Sequence, residues 1–308
     1  MRILVAGARG QVGHCLLSAL APLGEVVAAT RDGRLEMSKP ALAMDLSQPD
    51  TLHAALDAAH PDVIVNAAAY TAVDRAEREP ELAQRVNAAA VGVLGQWAAR
   101  HGVPVVHYST DYVFPGDGDR PLREDDATGP TGAYGRSKLE GERALAASGA
   151  KSLVLRTAWV YAAHGHNFLR SMLRLGAERD QLAVVDDQHG TPTPANLIAE
   201  ITAQVLARWL AADADTRRAQ SGVYHLVASG QTTWCGFARA IFERAVEAGL
   251  LERAPRVDAI ATAEYPTPAR RPAWSVLDTT RICETFGVSL PSWEVGLDAV
   301  IAELAADR

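Results

Sequence analysis

The segment Gly7-Ala8-Arg9-Gly10-Gln11-Val12-Gly13 constrains this chain more than any other feature. It follows a short apolar run, Arg2–Ala6, and opens a stretch with helical periodicity over 11–23 that Pro22 and Gly24 close. A strand that turns on glycines into a helix offers unpaired backbone N–H groups and partial positive charge at the helix start. The missing Cβ atoms let a phosphate come close to that backbone. A glycine triplet alone is a weak signal, but one placed between a strand and a helix marks a dinucleotide site. Its expected members here are Gly7, Gly10, Gln11, Val12 and Gly13.

The pattern after this loop repeats the theme. Strands are expected at 25–30, 62–68, 103–109 and 152–161, with helices at 52–59 and 80–100 between them. Alternation of this kind predicts an α/β fold, a Rossmann-type doubly wound parallel sheet with helices on both faces. Ligands of such sheets bind outside the carboxyl ends of the strands. The last third differs. It carries one expected strand at 223–227, helices at 232–249 and 292–306, and a basic, proline-rich loop at 265–272. The expected organisation is a nucleotide-binding domain over 1–165 with a return segment at about 190–228, and a smaller C-terminal lobe for substrate, mainly 166–308.

Composition removes several classes. The 308 residues carry 37 acidic against 30 basic side chains, a net charge of −7, which lacks the basic footprint of a general nucleic-acid binder. The three cysteines, Cys15, Cys235 and Cys283, are too far apart for a disulfide scaffold or a zinc ribbon, and are expected to be buried free thiols. No run approaches the roughly 18 apolar residues of a membrane span, and the first residues lack a signal peptide's apolar segment. The expected location is the cytoplasm.

The end of the second strand bears on the cofactor. An acidic residue there would hold the ribose 2′-hydroxyl of NAD, but the strand ends at Thr30-Arg31. Arg31 suits a 2′-phosphate and favours NADPH, with NADH as the second possibility; an ordinary exposed arginine is the other reading. Asp45, with Leu46 beside it, is placed at the adenine, or is a solvated loop aspartate.

Tyr134-Gly-Arg-Ser-Lys138 enters a helix that continues through residue 147. The i, i+4 spacing puts both side chains on one face. A tyrosine pKa of about 10 is high for proton transfer at neutral pH, and a nearby ammonium lowers it. Ser109-Thr110-Asp111 ends the preceding strand and puts a hydroxyl where a substrate carbonyl needs polarising.

These segments identify a resemblance. The chain is similar to the extended short-chain dehydrogenases/reductases and, within them, to the dTDP-4-dehydrorhamnose reductase family. Matching segments are 7–13, 61–77 (PDVIVNAAAYTAVDRAE), 107–114 (HYSTDYVF), 134–142 (YGRSKLEGE), 156–161 (RTAWVY), 187–193 (DQHGTPT) and 265–272. The resemblance implies NADPH-dependent reduction of the C4 keto group of dTDP-4-dehydro-L-rhamnose to dTDP-L-rhamnose. It implies a triad of Thr110, Tyr134 and Lys138, with Tyr134 as general acid and Thr110 and Asp111 beside the substrate. It places Ala67, Ala68 and Ala69 along the cofactor, Trp159 at the sugar pocket, and Arg270 or Arg271 on the substrate diphosphate. Asn87 matches a structural asparagine.

Departures from the family pattern bear on specificity. Ala273-Trp274 follows Arg-Pro where relatives carry a small residue and asparagine; Trp274 either stacks on a base or sugar or packs internally. Some relatives hold magnesium through glutamates at a dimer contact, and one such position is His14-Cys15 here, so no metal is expected. The chain is expected to be a monomer or homodimer. Two other readings stay open: a 4-ketoreductase of another deoxysugar nucleotide, and a non-catalytic NADP-binding regulatory subunit similar to the methionine adenosyltransferase β-subunit. The intact Thr110, Tyr134 and Lys138 set weighs against the second.

Overall fold

The computed structural model describes residues 1–35 and 40–306. From the N-terminus, β1 (Arg2–Ala6), α1 (Gln11–Leu20), β2 (Glu25–Thr30), β3 (Leu42–Ala43), α2 (Leu52–Ala59) and β4 (Val63–Asn66) come first. Then α3 (Val73–Ala76) and α4 (Pro80–Gln84) lead through a π-helical turn at Arg85–Ala89 into α5 (Ala90–His101). The strand β5 (Val105–Thr110), α6 (Ala133–Ala147) and β6 (Ser152–Thr157) follow. The second half carries β7 (Val160–Tyr161), α7 (Phe168–Glu178), β8 (Gln181–Val185), β9 (His189–Gly190), β10 (Thr193–Pro194), α8 (Ala195–Ala211), α9 (Ala214–Ala219) and β11 (Gly222–His225). It ends with β12 (Thr232–Thr233), α10 (Trp234–Glu247), β13 (Arg256–Ile260), α11 (Thr280–Phe286) and α12 (Trp293–Ala306).

The expected doubly wound sheet is present. Seven strands pair in the order β11-β6-β5-β4-β1-β2-β3, all parallel. Burial on both faces explains the near-continuous apolar strands. Along β1, Ile3 and Val5 join the core on one side while Leu4 and Ala6 join the core on the other. Strand order reverses between β1 and β4, with β2 and β3 added on one side and β4, β5 and β6 on the other, so the crevice lies at their carboxyl ends, where the glycine loop and residues 67–69 emerge. The second half also contains a separate parallel pair, β8 with β13, against which α10 packs. The last strand of the main sheet, β11, is supplied by this half as well.

Three expected elements are broken for physical reasons. The helix over 11–23 is α-helical only to Leu20 and tightens into a 3-10 turn over Ala21–Leu23, which carries Pro22. The helix over 80–100 contains the π turn, which turns the buried Asn87 inward. The strand over 152–161 stops at Thr157, because Trp159 has a left-handed backbone (φ 48°) and β7 leaves to pair with β10.

One buried ion pair joins the site-bearing helix to the sheet. Arg156 of β6 donates to Glu142 of α6 through Nε at 2.9 Å and Nη2 at 2.7 Å, with both residues buried. Ser109 of β5 also donates to Glu142. Removing one partner from such a pair strands the other charge, whereas replacing both by apolar groups is far less damaging. Arg156→Met is therefore expected to cost about 3–5 kcal/mol of unfolding free energy. The double change Arg156→Met/Glu142→Leu should recover most of it in urea titrations; a double change as unstable as the single one would contradict this reading.

Candidate active site

The crevice between the two halves of the sheet is a cleft of 690 Å³ lined from several chain segments. Gly7, Gly10, Gln11 and Val12 form one wall, Arg31, Asp45 and Leu46 a second, and Ala67, Ala68 and Ala69 a third. Tyr134 and Lys138 close it. Gly7 has φ 80°, and a Cβ there would stand 2.6 Å from the Ala68 nitrogen. Gly13 does not line the cleft. A Cβ on it would fall 2.1 Å from the Gly7 carbonyl oxygen, so its task is the close packing of α1 on the turn. No side chain caps α1 at Gly10, which leaves the N–H groups of its first turn for a ligand. A glycine cradle, an uncapped helix start and a cationic second strand end together fit a dinucleotide with phosphate groups.

The charges near the second strand divide their work. Arg31 is exposed at the cleft. Arg9 is instead paired with Asp32 at 2.9 Å. Asp45 accepts from the Ser47 backbone at 2.9 Å and from its hydroxyl at 2.8 Å. Burial works against its ionisation, but these bonds and the Arg31 charge outweigh it and hold the carboxyl below its ordinary value.

The carboxyl end of β5 meets the start of α6. Glu77 accepts from the Ala133 N–H at 2.7 Å and so fixes that helix start. Asn87 accepts from Tyr70 N at 2.8 Å and donates to the Tyr70 carbonyl and the Ser137 hydroxyl, each at 3.0 Å. It ties the loop after β4 to α6, the structural role the resemblance implies. Thr110 donates to Asp111 Oδ1 at 2.8 Å and accepts from the Tyr112 N–H at 3.3 Å, and its hydroxyl acts on Tyr134. Desolvation raises the Tyr134 phenol, with the Thr110 hydroxyl acting in the other direction. The direction is opposite to that expected from the lysine one turn away, because burial dominates. Lys138 donates to the Tyr108 carbonyl at 2.6 Å and stands 3.3 Å from His107 Nε2; burial brings it down to about 8.

The remaining predicted residues lie outside the cleft wall. Trp159 stacks face to face on Trp234, with centroids 3.6 Å apart. Arg270 is exposed. Arg271 is half-buried and donates to Asp74 at 2.6 Å and to the Tyr112 hydroxyl at 3.3 Å, while the Ala269 N–H reaches the same carboxylate at 3.1 Å. Asp74 thus clamps the 265–272 loop to the first half of the chain. Trp274 is half-buried, packs against the cluster that holds Val113, Phe114 and Leu122, and donates to the Arg120 carbonyl at 2.7 Å. Sequence reasoning missed Asn66, Asp74, His107, Tyr112, Glu142 and Arg156. Glu142 was accessible, since it continues the Tyr134, Lys138 spacing by one more turn. Among the described residues, no group of three or more His, Cys, Asp or Glu is arranged to hold a metal ion. No described helix is long and apolar enough to cross a membrane.

The comparisons agree with this geometry. The family model described as the RmlD substrate binding domain matches residues 1–306. The dTDP-4-dehydrorhamnose reductase of Escherichia coli K12 is 46% identical over 304 residues, 99% of this chain and 98% of that protein. The reductase of the same name from Burkholderia thailandensis is 48% identical over 309 residues, 99% of each chain. A crystal structure of a dTDP-4-dehydrorhamnose reductase from Clostridium acetobutylicum superposes with a TM-score of 0.87 at 33% identity, covering 99% of both chains. Another, from Bacillus anthracis in complex with NADP, gives 0.86 at 29% identity over 98% of this chain and 99% of that one.

Asp111 generates a test of the site's electrostatics. Burial raises its carboxyl to about 6 against hydrogen bonds that lower it. The folded state therefore binds a proton that the unfolded chain releases near pH 4, and stability falls as pH rises from about 4 to 6. With a carboxyl at about 6, the loss at pH 7 is on the order of 3 kcal/mol. Asp111→Asn keeps the acceptor for Thr110 and should raise Tm at pH 7, with no gain at pH 4. An equal gain at both pH values would contradict the assignment.

Proposed function

The chain belongs to the RmlD substrate-binding-domain family, whose full-length relatives here are dTDP-4-dehydrorhamnose reductases, and from that premise we propose the following account of its chemistry. The protein is an NADPH-dependent oxidoreductase that reduces the C4 keto group of dTDP-4-dehydro-L-rhamnose to give dTDP-L-rhamnose. The observation that carries the reading is that the glycine cradle and the Tyr134–Lys138 pair line one cleft.

NADPH, when bound, supplies the hydride for C4. Gly7, Gly10, Gln11 and Val12 hold its pyrophosphate, and Ala67, Ala68 and Ala69 leave room along the crevice. Arg31 meets the 2′-phosphate. Tyr134 gives its proton to the C4 oxygen as negative charge develops there. Its raised pKa keeps it a phenol at neutral pH, the form an acid needs. Thr110 turns its hydroxyl from Asp111 to donate a second hydrogen bond to that oxygen. Lys138 sits one turn behind and orients the cofactor ribose.

The substrate's nucleotide half belongs with the second lobe. Arg270, exposed on the 265–272 loop, is the better phosphate partner, because Arg271 is already engaged by Asp74 and Tyr112. Trp159, stacked on Trp234, shapes the floor beside the sugar.

Tyr134→Phe removes only the acidic hydroxyl. It should leave NADPH affinity within a few-fold and lower kcat on the order of 10²–10⁴-fold. Turnover retained within a few-fold in a steady-state assay would remove Tyr134 from the role of acid.

A further inference from the structure

The hydrogen-bond roles behind Lys138 are fixed from its far side. In the main sheet, Asn66 of β4 stands beside His107 of β5. The Ala68 N–H donates to Asn66 Oδ1 at 3.2 Å, which leaves Asn66 Nδ2 against His107 Nδ1 at 3.1 Å. Turning the amide over would set two N–H donors against each other at Ala68. The Asn66 nitrogen can only donate, so His107 Nδ1 must accept, and a neutral ring then carries its proton on Nε2. That N–H is aimed at Lys138 Nζ, 3.3 Å away. An ammonium at this point faces donor with donor. A neutral amine accepts from His107 and still donates to the Tyr108 carbonyl at 2.6 Å. His107 is fully buried, so no solvent relieves the conflict.

We propose that His107 and Asn66 are positioning residues for the reduction: Asn66 holds the His107 ring as its Nε2–H form, and that N–H biases Lys138 toward the neutral amine. The proposal rests on the assignment of Lys138 to the reductase site. Other groups act on the same end of α6. Glu142, on the same helix, favours the charged lysine, but Arg156 from β6 pairs with it. Glu77 caps the helix from beyond α3, and Asp111 and Tyr112 act on Tyr134. The balance brings Lys138 down to about 8, burial being the largest cause. Burial and the Lys138 charge hold His107 well below its ordinary value, with the Asn66 backbone acting the other way. A lysine poised so close to working pH exchanges its proton readily, which an ordinary lysine at about 10.4 does not.

The sequence contains only three lysines, Lys39, Lys138 and Lys151, so a lysine-labelled ¹³C spectrum resolves Lys138, assigned by loss of its signal in Lys138→Met. Asn66→Asp keeps the acceptor for Ala68 but puts a carboxylate oxygen against His107 Nδ1. That moves the ring proton to Nδ1 and frees Nε2 to accept from an ammonium. The expected result is a Lys138 midpoint near pH 8 in the parent and a proton held at least tenfold more tightly in Asn66→Asp. Histidine ¹⁵N shifts should show Nε2–H in the parent and Nδ1–H in the variant. The alkaline limb of kcat/KM should rise with the lysine midpoint. A parent ring protonated on Nδ1, a parent midpoint near an ordinary lysine's, or an unmoved midpoint once the ring proton has moved would overturn the proposal. If Asn66→Asp does not fold, the parent midpoint and ring form decide alone. Failure of the reductase reading registers separately, as absence of NADPH oxidation with both spectra as expected.

Discussion

The Glu142 carboxylate lies between Arg156 and Ser109, and this buried contact sets where α6 stands relative to the ends of β5 and β6. Tyr134 and Lys138 are on that helix and Thr110 is on that strand, so the geometry of the candidate triad depends on it. Charge removed from water is expensive, and the bidentate pairing with a further hydroxyl is what makes this one tolerable. The neighbouring supports act in the same direction. Glu77 fixes the start of α6 and Asn87 fixes its flank. The chemistry requires a hydroxyl, a phenol and an amine held at fixed separations, and rigid elements hold them better than loops do.

The same cleft explains the division of the chain. The crevice between β1 and β4 is dictated by strand order, and the glycine turn and residues 67–69 open there because both follow those strands. The second half contributes β11 to the sheet and also a lobe built around β8 and β13. Asp74 joins the two halves by holding Arg271 and the Ala269 N–H. Through Tyr112, whose ring meets that of Tyr134 edge-on at 5.5 Å, this clamp reaches the proposed acid. Loop position and acid position are thus coupled by direct contacts.

Much of this was legible in the sequence because it is local. Glycine spacing, apolar runs and the Tyr134, Lys138 interval are all short-range patterns, and β1, β2 and α2 fall where they were expected. What was not legible is long-range. The break at Trp159 depends on β7 pairing with β10, more than 30 residues on. The π turn at Asn87 depends on α6 arriving closely enough that a Cβ at Gly141 would meet the Asn87 carbonyl oxygen at 2.0 Å. The engagement of Arg271 depends on Asp74, and the raised phenol of Tyr134 depends on burial. No helix or strand was expected in the segment from 166 to 222, although α8 carries a clear apolar face that buries Leu197, Ile201, Val205 and Trp209.

The central claim is that this cleft transfers hydride to a 4-keto sugar nucleotide while the protein supplies one proton. Its most direct test is NADPH absorbance with enzymatically prepared dTDP-4-dehydro-L-rhamnose, followed by NMR identification of the product. The account predicts oxidation that depends on this protein, with one dTDP-L-rhamnose formed for each NADPH consumed. NADPH bound without oxidation, or oxidised only with a different keto sugar, would contradict it.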